Sequence, residues 1–283
     1  MSPTVGVFLL IFVTVIWGST FAIIKETIQT VPVPLLLALR FSIAAFILIW
    51  VKPERKTLVP GLILGLLSFT GYATQTIGML TTSASKAAFI TGLSVILMPI
   101  VGAIWLRQKI PVRAWFAAIL ALVGLGLMTL NPTEGLAVGD VWVLGTALAY
   151  ALYIVYLGEI AGHHKPLVLT SLQITVVALL SWGWAVPSLH ILKSFSTSEM
   201  YALFYLATFA TVLVLWLQTL AQRIVPAYAA ALVFALEPVF AAVFAYFLLG
   251  ETLSPQGWLG GALVVIAMIT GELKLNSLPS KKR

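Results

Sequence analysis

Glu237 stands about ten residues inside an otherwise apolar run, 227–249, and Pro238 follows it. A carboxylate at that depth in hydrocarbon costs about a few kcal/mol and faces a bundle interior or a wet cavity. Pro238 removes the N–H that would bond the carbonyl of residue 234, which frees a backbone acceptor one turn before the acid. Two roles stay open for Glu237. It is a proton site, counter-ion or gate element, or it is a buried carboxyl that bonds neighbouring helices and holds a kink. Arg40, about six residues into the run 35–51, is the other charge at depth. Its long stem can snorkel to the interface or its guanidinium can bond backbone carbonyls, so a structural role is expected.

Polar and aromatic residues inside the runs recur as one-turn pairs: Trp17 with Thr20, Tyr72 with Gln75, Thr91 with Ser94, Tyr150 with Tyr153, and Gln218 with Gln222. Such pairs share a helix face and either bond across helices or line a cavity. Trp50, Trp105, Trp115 and Trp258 sit near run ends, where aromatic belts form. Gly61 and Gly65, Gly257 and Gly261, and Ala114 and Ala118 have the small-xxx-small spacing of close helix contacts. Cysteine is absent, and no GxxxxGK[ST], GxGxxG, HExxH or GxSxG occurs. No cofactor, metal site or enzymatic activity is expected. His163 and His164 adjoin in a connection and read as a solvated surface, and His190 lies in a loop after Pro187.

The elements that must position these residues follow from composition. The chain of 283 residues is 61% hydrophobic and 9% charged, with a mean hydropathy of +1.08. Soluble domains carry about 25% charged residues, so lipid is the solvent. A net charge of +7 does not make a nucleic-acid binder, because the basic residues cluster between long apolar runs. A span needs about twenty apolar residues, and windows at 5–24, 35–51, 58–80, 84–105, 114–130, 140–157, 166–186, 200–221, 227–249 and 252–271 supply ten. Continuous apolarity excludes an outer-membrane barrel, whose strands alternate. The first run lacks a basic leader and a cleavage site and reads as a retained span.

With the N-terminus inside, Lys52, Arg55, Lys56, Arg107, Lys109, Arg113, Lys165, Arg223, Lys274, Lys281, Lys282 and Arg283 fall on the inner side and Lys25, Lys86 and Lys193 on the outer. That bias predicts cytoplasmic termini. Sliding the chain by 143 residues aligns Gln75-Thr76 with Gln218-Thr219, Ala87-Ala88 with Ala230-Ala231 and Trp115 with Trp258. Ala84, Leu93 and Leu106 meet Ala227, Leu236 and Leu249 at the same shift. Five spans per half is an odd number, so this duplication predicts two inverted-topology halves, 1–132 and 133–283 with its basic tail, and a mid-membrane site between them. Ser94 then occupies the position of Glu237.

The stretches WGSTF (17–21), LALRF (37–41), TTSASKAAFITGLSVILMPI (81–100) and PAYAAALVFALEPVFAAVFAYFLLGETLS (226–254) resemble the EamA family of the drug/metabolite transporter superfamily, along essentially the whole chain. The resemblance implies an all-α polytopic fold of ten helices in two inverted repeats, and export of amino acids, metabolites or drugs, with aromatic amino acid exporters among the members. It also implies a cavity lined by the first, third, fourth, sixth, eighth and ninth helices. These carry Trp17, Tyr72, Gln75, Thr91, Ser94, Tyr150, Tyr153, Gln218 and Glu237, the expected substrate-binding residues. The family-like Leu236-Glu237-Pro238 and Leu249-Gly250-Glu251 have no acidic match in Leu93-Ser94-Val95 and Leu106-Arg107-Gln108, so acidic chemistry rests with the second half. The expectation is a small-molecule exporter in the cell's inner membrane, lipid-embedded and binding no nucleic acid, with a monomer sufficient and a dimer still open. Multidrug efflux and an integral-membrane enzyme on a lipid-linked substrate are the alternatives. The enzyme needs an acidic or His cluster at the interface, and Glu54, Glu159 and Glu272 are not clustered. A channel would need a filter segment, and none is visible.

Overall fold

Prolines and short polar side chains open most of the helices. Pro3 opens α1 (Pro3–Thr27), where the Ser2 hydroxyl accepts from the Val5 N–H. Pro34 lies in the first turn of α2 (Val33–Ile47), Pro166 starts α8 (Pro166–Ala185) and Pro255 starts α13 (Pro255–Glu272). A proline there gives up an N–H that has no helical partner anyway. A reciprocal Ser196/Glu199 cap opens α9 (Thr197–Ala207). The remaining helices are α3 (Leu58–Gly78), α4 (Ala84–Gly92), α5 (Ser94–Trp105), α6 (Val112–Thr129), α7 (Val138–Ile160), α10 (Val214–Ala221), α11 (Ala227–Phe234) and α12 (Glu237–Leu249). This computed structural model describes residues 1–107, 109–129, 137–187, 195–249 and 254–272.

The thirteen helices make ten spans, because three spans are composite. α4 and α5 form the fourth, interrupted at Leu93; α11 and α12 form the ninth, interrupted at Ala235 and Leu236. α9 and α10 form the eighth, joined by a π-turn over Thr208–Leu213. The sequence windows anticipated these three as continuous, and the second span ends at Ile47 rather than 51. At the ninth span the cause is Pro238: the chain tightens there, with the Leu236 N–H on the Val233 carbonyl at 3.0 Å. Gly92, beside the other interruption, lies against Pro238. A Cβ added to Gly92 would sit 3.3 Å from the proline Cγ, so the two broken spans cross close to their breaks.

Packing neighbours come in matched pairs. The third span lies along the sixth and the eighth along the first, while the fourth lies on the sixth and the ninth on the first. The second packs on the seventh and the fifth on the tenth. Small residues set the closest approaches: Gly61 and Gly65 receive Leu172 and Val176 of α8, and Gly124 faces the Gly260 carbonyl. Ala114 and Ala118, with Gly257 and Gly261, are buried, as their spacing predicts. Trp50, Trp105 and Trp258 are exposed on the bundle surface, where a belt requires them, whereas Trp115 is half-buried.

One end of the bundle is held by polar contacts. The Lys25 ammonium donates to the Met79 and Thr82 carbonyls at the end of α3. Lys86 pairs with Asp140 at 2.7 Å, and that carboxylate also accepts from the Thr82 hydroxyl (2.8 Å) and the Ala137 N–H (2.9 Å). At the other end Glu54 pairs with Lys165 at 2.7 Å, and Thr57 bonds the His164 ring at 3.2 Å. His190, Lys193, Gln108, Glu251 and the basic tail residues Lys274, Lys281, Lys282 and Arg283 lie outside the described residues.

Candidate functional site: a cavity midway along the bundle

Helical spacing aims a set of side chains from seven spans at one cavity. Its wall includes Trp17, Tyr72, Gln75, Thr91, Ser94, Tyr150, Tyr153, Gln218 and Glu237, so the structure brings together all nine sequence-selected residues. Arg40 joins them from the second span, together with Thr20, Ile24, Ser68, Gly92, Ile154, Leu215 and Phe234. The sequence reading did not assign these to the cavity. Ser68 lies four residues before Tyr72, Leu215 three before Gln218 and Phe234 three before Glu237, so helical periodicity from the chosen residues would have found them.

Most polar atoms on the wall are engaged. The Gln75 side-chain amide donates to Thr91 Oγ1 at 3.1 Å, which ties the third span to the fourth. Tyr153 donates to Gln173 Oε1 at 2.9 Å, and the Thr20 hydroxyl donates to the Trp17 carbonyl at 2.7 Å. Gln218 donates to Gln222 Oε1 at 3.0 Å, and Gln222 passes the chain on to the Ile154 carbonyl at 2.9 Å. Thr91 and Ser94 belong to different helices, one closing α4 and the other opening α5, yet both reach the cavity.

Arg40 does not snorkel. It is 1% exposed and reaches across to the π-turn, where Nε donates to Thr211 Oγ1 at 2.8 Å and Nη2 to the Ala210 carbonyl at 2.9 Å. Its guanidinium lies over the Tyr72 ring, 4.9 Å from the centroid, a cation–π contact strengthened by desolvation. No ion pair joins Arg40 to Glu237 among the described residues.

Two buried polar atoms on the wall, the Trp17 indole N–H and Gln218 Oε1, have no hydrogen-bond partner among the described residues. The Glu237 carboxyl, which no ion pair reaches among the described residues, and the hydroxyls of Ser68, Ser94, Tyr72 and Tyr150 line the same cavity. Glu237 opens α12 at the break, which sets the acid at the positive end of a half-helix. Around these groups stand aromatic rings: Trp17 is 5.5 Å from Phe234 centroid to centroid, and Tyr72 meets Tyr150 edge-on at 5.9 Å. No group of three His, Cys, Asp or Glu able to hold a metal occurs among the described residues. The arrangement presents a bound molecule with aromatic faces, the Glu237 carboxyl and Gln218 Oε1 as acceptors, and the Trp17 indole N–H and wall hydroxyls as neutral donors.

Known proteins place this architecture. Two proteins of Archaeoglobus fulgidus, each named an uncharacterized transporter, are similar to the chain. One is 30% identical over 267 residues, covering 94% of this chain and 85% of its own. The other is 25% identical over 231 residues, covering 77% and 76%. A crystal structure of another protein superposes with a TM-score of 0.77 at 18% identity, across 99% of this chain and all of that one, which speaks for the fold. The sequence model of the EamA-like transporter family matches twice, at residues 4–130 and 137–270. The chain therefore belongs to the EamA-like transporter family.

Proposed function

We propose that this membrane transporter of small molecules is a secondary exporter of amino acids or similar small metabolites. It works by alternating access: two inverted five-helix halves, 1–132 and 133–283, rock about the mid-membrane cavity. The observation that carries the reading is the cavity, formed where spans of both halves converge and walled by Trp17, Tyr72, Gln75, Thr91, Ser94, Tyr150, Tyr153, Gln218 and Glu237. The double family match, the matched packing pairs and the equivalent helix breaks at Leu93 and Leu236 support the inverted duplication. Transporters of that build bind substrate at the midplane on broken helices. Both termini are cytoplasmic in this proposal, which rests on the positive-inside bias, and the membrane is the inner one. One chain supplies both halves, so a monomer suffices.

Glu237 is the coupling group. A carboxylate away from any cation is costly in hydrocarbon and is neutralised by a proton or by a bound charge. The test is flux in proteoliposomes across an imposed pH gradient, for the wild type and Glu237→Gln. The wild type is expected to concentrate substrate with the gradient, and the variant to lose at least about tenfold of that accumulation, which corresponds to about 1.4 kcal/mol. Accumulation indifferent to both pH and the substitution would remove proton coupling from this residue.

A further inference from the structure

The cavity's unengaged polar groups are unevenly matched in sign. Glu237 is an acid without an ion pair or hydrogen bond among the described residues, and Gln218 Oε1 is a buried acceptor without one. Gln218 is 1% exposed, and its own amide N–H is spent on Gln222. Both residues lie on the second half's spans, where the eighth and ninth reach the cavity. Against these stand neutral donors alone, the Trp17 indole N–H and the hydroxyls of Ser68, Ser94, Tyr72 and Tyr150. The wall's cation, Arg40, is 1% exposed, bonded to Thr211 and Ala210, and covered by Tyr72.

From this sign pattern we infer that the transported ligand is recognised through a cationic ammonium group, received by Glu237 and Gln218 and flanked by the aromatic faces of Trp17, Tyr72, Tyr150 and Phe234. The inference rests on the transporter reading and narrows it. An ammonium brings donors and charge to the two groups that lack them, and aromatic faces attract cations when water is excluded. A carboxylate next to that ammonium meets only neutral donors and no available cation in the cavity, so its charge stays uncompensated, which costs more than a lost neutral hydrogen bond. A simple amine therefore fits better than the α-amino acid with the same side chain.

Paired probes make this testable. Tyramine and phenethylamine are compared with tyrosine and phenylalanine, as thermal-shift ligands and as proteoliposome substrates of the full chain. The amines are expected to bind and move at least about tenfold better than their amino acids at equal concentration. Glu237→Gln is expected to lose tenfold or more of the amine flux, and Gln218→Leu to lose a smaller part, each variant first checked for its elution position and unperturbed thermal unfolding. Amino acids equal to or better than the amines, or amine flux retained in folded Glu237→Gln, would overturn the ammonium assignment while leaving a transporter in place. No flux for either series, with no response in a wider screen of metabolites, would remove both readings together.

Discussion

Arg40 shows how one buried charge is accommodated without a counter-ion. The π-turn at Thr208–Leu213 offers the Ala210 carbonyl and the Thr211 hydroxyl to the guanidinium, and that hydroxyl bonds back to the Leu206 carbonyl at 2.8 Å. A lysine has the charge but lacks the fork that reaches two acceptors on adjacent residues. Arg40→Lys is therefore expected to lower unfolding stability by about 1–3 kcal/mol, seen as a lower melting temperature in detergent. In a double-mutant cycle with Thr211→Val, the two losses should couple by at least about 0.5 kcal/mol; strict additivity would break the link between residue and turn. The depth and charge of Arg40 were legible in the sequence, but its partner was not. A π-turn carries no composition signature, and only the fold brings the eighth span beside the second. Glu237 was legible for the opposite reason, since an acid before a proline inside an apolar run is visible without any neighbour.

Helices here are separated by glycines, and their tolerance differs by position. Gly124 sits on α6 with its missing Cβ directed at the Gly260 carbonyl 2.6 Å away, whereas Gly183 on α8 has nothing within 4 Å. Gly124→Ala should force α6 and α13 apart at a cost of about 1–3 kcal/mol, and Gly183→Ala should stay within about 0.5 kcal/mol. Thermal unfolding of the two variants side by side decides this, and equal effects would refute it. The connections have their own chemistry. The hydrogen bond from Lys165 holds the Glu54 carboxyl below its ordinary value of 4.5, and partial burial, with Lys56 and His163 nearby, holds His164 below 6.5. Both shifts are downward, so both contributions are present at neutral pH and fade on acidification, His164 first below about 6.5 and Glu54 only below about 4.5. Hydrogen exchange at 54–57 and 163–165, corrected for intrinsic rates, should accelerate from pH 7 to 5; constant protection would contradict it. Span positions were readable because twenty apolar residues have few other uses. The break at Leu93 was not, because no proline follows it within a turn as Pro238 follows the ninth-span break, and its partner lies in the other half.

At the scale of the molecule, the two ends of the bundle are tied by different contacts. The end that the proposed orientation places outside is tied by Lys25, Lys86 and Asp140, of which the last two are largely buried, together with the Thr82 carbonyl and hydroxyl. The opposite end adds to its exposed Glu54–Lys165 pair close contacts at small residues: Gly6 meets Ile224 and Val225, and Gly158 meets Ala227. Removing one member of a buried ion pair leaves the other uncompensated, at about 3–5 kcal/mol. Lys86→Met should therefore loosen the outer seal. The chain contains no cysteine, so a single Thr91→Cys in the cavity reports this directly, and its labelling by an impermeant reagent from outside should quicken several-fold with Lys86→Met. An unchanged rate would show that the pair does not close the cavity. The pairing of the fifth span with the tenth has a bearing on how the protein is made. Gly124 and the Gly260 carbonyl that covers it are separated by nearly half the chain, which a ribosome takes on the order of ten seconds to synthesise. Throughout that interval the glycine face of the fifth span lacks the helix that covers it in the finished protein. The first half is thus complete as a set of spans well before it is complete as a structure, and insertion of the last helix is the event that closes it.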